Sequence, residues 1–391
     1  MVSRHLKKLR PIAPSLPLIS ALLFQFILIY SFGIGDDLDS YYLVSGLIGF
    51  FLVVIAGLTS YWAFPNIKLH NNKQYFDCIL SLGIMVNIPL VLVGVLLFYF
   101  TDSVLPLAFV FLITPSVILS LYMYDLYLEG DYVLGSLINT VPNIIVSFII
   151  IKFPDLSLFY VVLSMVLVHY VLALSVIFKT EIRFSIRSLA LLNSSNSLDL
   201  IKSSIVSKSL SPIDRATLAS GDEGLVSVYS LFERIISVVV TVVTRYHELL
   251  LLTFTTTFKM TYLRFIPGVM ISTIAYFCII VIFKNYIFGV DWFPLSLKNI
   301  ELFLTVLLYA APIIAVFLWA NSLVIAELYS KGEHGYILKI NVLVLLLSLI
   351  ARLVVIWTGS YLLLPFIVTV ALMMNLFFFY RHLRSLNEIS V

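Results

Sequence analysis

A chain of 391 residues that is 61% hydrophobic and 12% charged, with a mean hydropathy of +1.08, is a polytopic membrane protein and not a soluble globular one. Its formal net charge of +3, with no basic low-complexity tail, gives no footing for a nucleic-acid partner. The two cysteines, Cys78 and Cys278, fall inside apolar runs and read as unpaired thiols facing core or lipid, silent about redox compartment.

In chain order, a basic head with Arg4, Lys7, Lys8 and Arg10 precedes an apolar run over 14–34 that is too long for a signal peptide and lacks a small-residue cleavage site. The turn Gly33-Ile34-Gly35-Asp36-Asp37 leads into a second helix over 40–64. Apolar segments at 74–100, 104–128, 131–152 and 156–178 follow, each long enough for ~30 Å of hydrocarbon. A linker over 179–192 interleaves Arg183 and Arg187 with Ile182, Phe184 and Ile186, and reads as a short amphipathic helix on the cytoplasmic surface. Helices over 193–219 and 223–255 come next, then spans at 264–287, 297–328, 336–357 and 359–380, for a total of twelve.

Lysine and arginine placement orients them. With the N-terminus inside, the cytoplasmic segments hold Arg4, Lys7, Lys8, Arg10, Lys68, Lys73, Lys179, Arg183, Arg187, Lys259, Arg264, Lys331, Lys339, Arg381 and Arg384, against Lys152, Lys284 and Lys298 outside. Both termini are therefore expected in the cytoplasm. A missed span would scramble this alternation.

The stretch over 193–245 carries charge where hydrocarbon tolerates little. Ser204, Lys208, Ser211 and Arg215 share one helix side, while Val206, Leu210, Ile213 and Thr217 fall opposite. Pro212 cannot donate to the Lys208 carbonyl and is expected to bend the segment. Lys208 and Arg234 each stand thirteen residues from Gly221, so both lie about 20 Å along the helices from the acidic hairpin Gly221-Asp222-Glu223-Gly224. Left facing lipid, Lys208, Asp214, Arg215, Glu233 and Arg234 would cost at least ~3 kcal/mol each, together ~15 kcal/mol, as much as a protein's whole stability. They must pair, line a polar cavity, or both. Neighbours on a helix point about 100° apart, so any pairing of Asp214, Arg215, Glu233 and Arg234 has to run between helices.

The chain also reads as two like-oriented halves. The acidic hairpin at Gly35-Asp36-Asp37 is matched 186 residues later by Gly221-Asp222-Glu223. Six spans per half make the repeat parallel, so the expected fold is all-α, with an N-lobe over 1–178, the linker over 179–192 and a C-lobe over 193–391 around a central cavity.

Two motifs resemble the multidrug/oligosaccharidyl-lipid/polysaccharide exporter (MOP) superfamily, and within it the flippases of the Wzx and MurJ type. One is Phe32-Gly33-Ile34-Gly35-Asp36-Asp37-Leu38-Asp39-Ser40-Tyr41-Tyr42-Leu43, followed by Gly57-Leu58 and Phe64-Pro65. The other is Ile213-Asp214-Arg215-Ala216-Thr217-Leu218-Ala219-Ser220, with Gly224, Val226, Ser227 and Arg234 at matching offsets; Pro115, Pro142, Asn143 and Ile144 fit a weaker pattern. The last four helices match in hydropathy alone. The resemblance implies alternating-access transfer of an undecaprenyl-pyrophosphate-linked oligosaccharide across a bacterial inner membrane, with no catalytic residue, no metal ligand and no cofactor. On that expectation Lys208, Arg215 and Arg234 contact the pyrophosphate, with Lys202 at the cytoplasmic entry. Asp214 and Glu233 balance charge or take a coupling Na+ or H+, and Gln25, Ser204 and Ser211 line the cavity. The implied partners are the prenyl-pyrophosphate glycan, the bilayer and a polysaccharide polymerase, with the carrier a monomer.

The first two helices lack the arginines that MurJ-type lipid II flippases resemble one another in having, and two C-terminal helices of that type are missing. This favours an O-antigen, capsule or exopolysaccharide unit over lipid II. A drug/cation antiporter of the same fold is expected to have an acidic first-half cavity, which the sequence does not show. A membrane-embedded polymerase, ligase or prenyl transferase would need a long outer loop, and Asp36-Asp37-Leu38-Asp39 has no second acidic cluster facing it. Elsewhere, Asp125, Glu129 and Asp131 read as a solvated turn or a gate contact with the linker. His169 reads as a hydrogen-bonded core histidine before a proton relay, Tyr122, Tyr124 and Tyr127 as interfacial belt, and Tyr41 and Tyr42 as belt before sugar-stacking residues. Arg352 is open between lipid phosphate and a partner helix.

Overall fold

The computed structural model describes residues 10, 13–101, 104–179, 182–193, 195–253, 256–257, 259 and 298–389. All secondary structure among them is helical. We number the α-helices α1 (Leu16–Phe32), α2 (Asp36–Leu58), α3 (Phe64–His70), α4 (Gln74–Thr101), α5 (Leu105–Val110), α6 (Ile113–Leu128), α7 (Tyr132–Lys152) and α8 (Leu158–Ile177). They continue as α9 (Ser195–Lys208), α10 (Leu210–Leu218), α11 (Leu225–Leu252), α12 (Lys298–Ser330), α13 (His334–Thr358) and α14 (Leu364–Ile389). Nine described segments are long and apolar enough to cross a membrane. The segment at α9–α10 is not among them, its charges being too closely spaced, as the sequence anticipates. The span expected at 264–287, with Arg264, Cys278 and Lys284, lies outside the described residues.

Internal contacts divide the chain into two compact units, the first running through Ser204 without Gly33–Asp39, the second made of Gly33–Asp39 and everything from Ile205 onward. In the first unit α1 lies along α7, and α6 packs on α4, α7 and α8. Asn143 Nδ2 donates to Ser20 Oγ at 3.1 Å across the α1–α7 seam. Asp131 caps α7 by accepting from the Leu134 N–H at 3.2 Å, and Asp125 pairs with Lys73 at 3.0 Å, so these two acids of the turn serve α7 and α4 and not the linker. His169 Nδ1 meets the Met165 carbonyl of its own helix at 2.7 Å, the core role expected for it.

Four tyrosines depart from the belt reading. Tyr41 and Tyr42 are buried, stacked edge-on to each other and, through Tyr41, to Phe109. Tyr124 and Tyr127 are buried as well, with their hydroxyls meeting Ser60 and Ser136 Oγ. Ser60 stands in a single π-helical turn, Thr59–Ala63, which joins α2 to α3. A buried phenol needs such a partner, and serines on facing helices supply it here.

The linker is also different from expectation. Residues 182–185 take no regular secondary structure, and among the described residues of the linker Ile186–Asn193 coils as a 3-10 helix. The cause lies in α4: Asp77 Oδ1 accepts from Arg183 N at 2.7 Å. Ser81 Oγ accepts from Ser185 N at 2.9 Å and donates to its carbonyl at 3.1 Å. Those bonds hold the backbone open where a helix would have used its own groups.

In the second unit α12 packs on α11 and α14, while α10 bridges α11 and α13. Asn321 Nδ2 donates to the Leu372 carbonyl at 2.8 Å between α12 and α14.

Candidate functional site

The polar stretch folds as two helices in series. α9 ends at Lys208 and α10 begins at Leu210, with Pro212 in its first turn, so the Lys208 carbonyl lacks the N–H that would continue the ladder. The break lets α10 set its own faces. Asp214 and Thr217 turn into the second unit and are buried, while Ala216 stays exposed.

Asp214 is held on both oxygens. Oδ1 accepts from Arg352 Nε at 2.5 Å, and Oδ2 accepts from the Tyr229 hydroxyl at 2.8 Å. Arg352 also donates from Nη1 to the Ser348 carbonyl at 3.0 Å, one turn back on α13. The side chains of Arg352 and Asp214 are 2% and 4% exposed, so the pair is fully desolvated and ties α10, α11 and α13 together. Beside it, Arg215 directs Nη2 (2.8 Å) and Nε (3.2 Å) at one oxygen of Glu233 on α11. The two cations thus neutralise two acids, and both pairs run between helices, as their angular placement requires.

This arrangement bears on each residue the sequence singles out. Arg215 is engaged by Glu233, and Asp214 by Arg352, so a coupling cation or proton at either acid would have to displace a guanidinium. Arg234 is half-buried on the next position of α11. Lys202 and Lys208 are exposed, and with Leu198 and Ile205 they follow steps of four, three and three residues along one side of α9. Ser204 is buried against α2, where a Cβ added at Gly57 would lie 3.3 Å from its Oγ. Ser211 is half-buried. Gln25 is buried on α1, its Oε1 having no hydrogen-bond partner among the described residues.

Arg352 and Tyr229 are the site residues the sequence did not assign. Arg352 carried a signal: an arginine inside an apolar span needs an anion, and few acids lie within spans. Its partner is 138 positions away, which no spacing argument reaches.

A second cluster joins the two acidic hairpins inside the second unit, so the run Asp36-Asp37-Leu38-Asp39, expected to face no second acidic cluster, meets the hairpin that carries Glu223. Asp39, at the start of α2, accepts from Gly224 N and Ser227 N, both at 2.8 Å, and from the Ser227 hydroxyl. These are the cap and third positions of α11, so Asp39 satisfies the N-terminal amides of a helix 185 residues away and places its charge at the positive end of that helix. Glu223 reciprocates: its Oε1 accepts from Asp36 N at 3.1 Å, the first amide of α2. Gly224 adopts φ +91°, a left-handed conformation that a side chain resists.

No protein-family model matches the sequence, and no curated protein matches it with significance. Solved structures do. A MOP superfamily transporter from Pyrococcus furiosus superposes with a TM-score of 0.62 at 14% identity over 96% of this chain and 95% of its own. The Vibrio cholerae MATE transporter VcmN in its bent form gives 0.63 at 15% identity over 98% of both chains. An outward-facing multidrug resistance MATE family transporter of the MOP superfamily gives 0.60 at 14% identity over 98% of this chain and 96% of that one. The chain is an all-α, multi-pass membrane protein with the fold of MOP-superfamily transporters.

Proposed function

We propose that this MOP-fold membrane transporter carries a prenyl-pyrophosphate-linked oligosaccharide, an O-antigen, capsule or exopolysaccharide unit, from one leaflet of a bacterial inner membrane to the other. The observation that carries the reading is the exposed side of α9. Lys202 and Lys208 lie six residues apart, about 9 Å along the axis and about 120° around it, with Ile205 midway between them on the same exposed arc. Two ammonium groups at that separation, each on a flexible stem, suit a diphosphate, and the apolar residue between them suits its lipid tail. Arg215 and Arg352 meet the internal acids Glu233 and Asp214, which supports a role in holding the lobe together. Transport needs no bond made or broken in the cargo.

A drug or organic-cation exporter is the second reading, favoured by the multidrug resistance MATE neighbour. Against it, the described acids of the first unit stand near helix ends or in turns: Asp77 and Asp125 in α4 and α6, Glu129, Asp131 and Asp155 between helices, and Asp199 in the second turn of α9. A buried mid-span carboxylate for a cationic drug is absent among the described residues of that unit.

Proteoliposomes loaded with fluorescent undecaprenyl-pyrophosphate glycan separate the two. The flippase reading expects externally added reductant to reach label that starts on the inner leaflet, and Lys202→Gln with Lys208→Gln to slow that exposure at least tenfold. Exposure at the protein-free rate, together with extrusion of a cationic dye, would overturn it in favour of drug export.

A further inference from the structure

The linker presents an interleaved set of exposed side chains with no role in the clusters around Asp214 and Asp39. Phe178 (87% exposed), Lys179, Arg183, Phe184, Ile186 and Arg187 all face outward, while Ile182 and Ser188 turn in. The segment begins where α8 ends, and its bonds to Asp77 and Ser81 fix it beside α4 at three and seven residues from that helix's start. At 1.5 Å per residue these anchors sit about 5 and 10 Å along α4 from its terminus, which in a helix that crosses a bilayer runs from the headgroup layer to the edge of the acyl region. A loop meant for water has no use for exposed phenylalanines at that level. A segment immersed in the interface does: aromatic and aliphatic groups enter the acyl boundary while guanidinium groups meet phosphate.

We propose that the linker is a docking surface for acidic phospholipid headgroups in the leaflet where α8 ends. Three observations carry it. In sequence, the stretch over 178–188 holds Lys179, Arg183 and Arg187 against one acid, Glu181, and the three basic side chains are exposed. The side chain of Asp77, the nearest acid on α4, is already hydrogen-bonded to the Arg183 amide and faces the linker backbone. The backbone is pinned by three side-chain bonds, so its cations are presented without an ordering penalty at the moment of binding. The inference stands apart from the identity of the cargo, since none of these residues belongs to the α9 surface.

The test uses the full chain, purified, delipidated and supplied with phosphatidylglycerol or phosphatidylcholine, with retained lipid counted by native mass spectrometry. Phosphatidylglycerol is expected to be retained in preference. Arg183→Gln with Arg187→Gln should weaken its retention about 25-fold, at roughly fivefold per charge near a headgroup, and leave phosphatidylcholine unchanged. Arg384→Gln, an exposed charge on α14, should alter neither. Raising salt should weaken the wild type more than the double variant. Equal retention of the two lipids, or phosphatidylglycerol held equally by the double variant, would overturn the proposal. So would a change in oligomeric state in that variant, which would make a second copy of the chain the occupant.

Discussion

Replacing Arg352 by methionine removes the guanidinium that one oxygen of a 4% exposed carboxylate accepts from, and leaves Asp214 charged among apolar helices. Tyr229 still donates to the other oxygen, so the loss is of the cation and not of every hydrogen bond. Breaking a buried pair by deleting one member costs about 3–5 kcal/mol. At ~2 °C per kcal/mol for a chain of this size, the unfolding midpoint should fall by about 6–10 °C. Thermal unfolding in detergent followed by size exclusion reads this directly. The decisive comparison is the double variant Arg352→Met with Asp214→Leu. It removes both charges and should recover at least half of the loss, since replacing a whole buried pair by apolar side chains is nearly neutral. Added salt should change the effect little, because the pair is not screened by solvent. A single variant that unfolds within about 1 °C of the wild type, or a double variant whose losses simply add, would refute the desolvated pair.

Two further substitutions probe the hairpin cluster. Asp39→Ala leaves the α11 amides of Gly224 and Ser227 without their acceptor and should cost about 1–3 kcal/mol, seen as faster amide hydrogen exchange at the start of α11 with little change in α12–α14. Gly224→Ala forces a side chain onto φ +91° and should cost about 1 kcal/mol or more, whereas Gly49→Ala, a helical position with nothing within 4 Å of an added Cβ, should be neutral or stabilising in the same melt.

How much of this was legible in the sequence depends on the range of the interaction involved. Spans follow from local hydropathy, and the break before α10 from the chemistry of Pro212. The demand that Asp214 and Glu233 find partners on other helices follows from cost and angle. The identity of the partners does not. Arg352 meets Asp214 because α13 packs on α10, and the linker is not helical before Ile186 because Asp77 and Ser81 on α4 present bonds at the right height. Tyr41 and Tyr124 look like belt residues in a one-dimensional reading, since only tertiary packing decides whether an aromatic near a helix end faces lipid or a neighbouring ring. Asp39 was visible as part of an acidic turn, but its use as a cap for α11 required the two hairpins to meet.

Whether the lysines of α9 receive a diphosphate is measured most directly as the affinity of the detergent-purified protein for undecaprenyl pyrophosphate, the wild type being compared with Lys202→Gln and Lys208→Gln together. Each charge-assisted hydrogen bond removed weakens binding about fivefold or more, so the double variant should bind at least ~25-fold more weakly, with its unfolding midpoint unchanged. Unaltered affinity in a stably folded double variant would contradict a diphosphate seat on this helix.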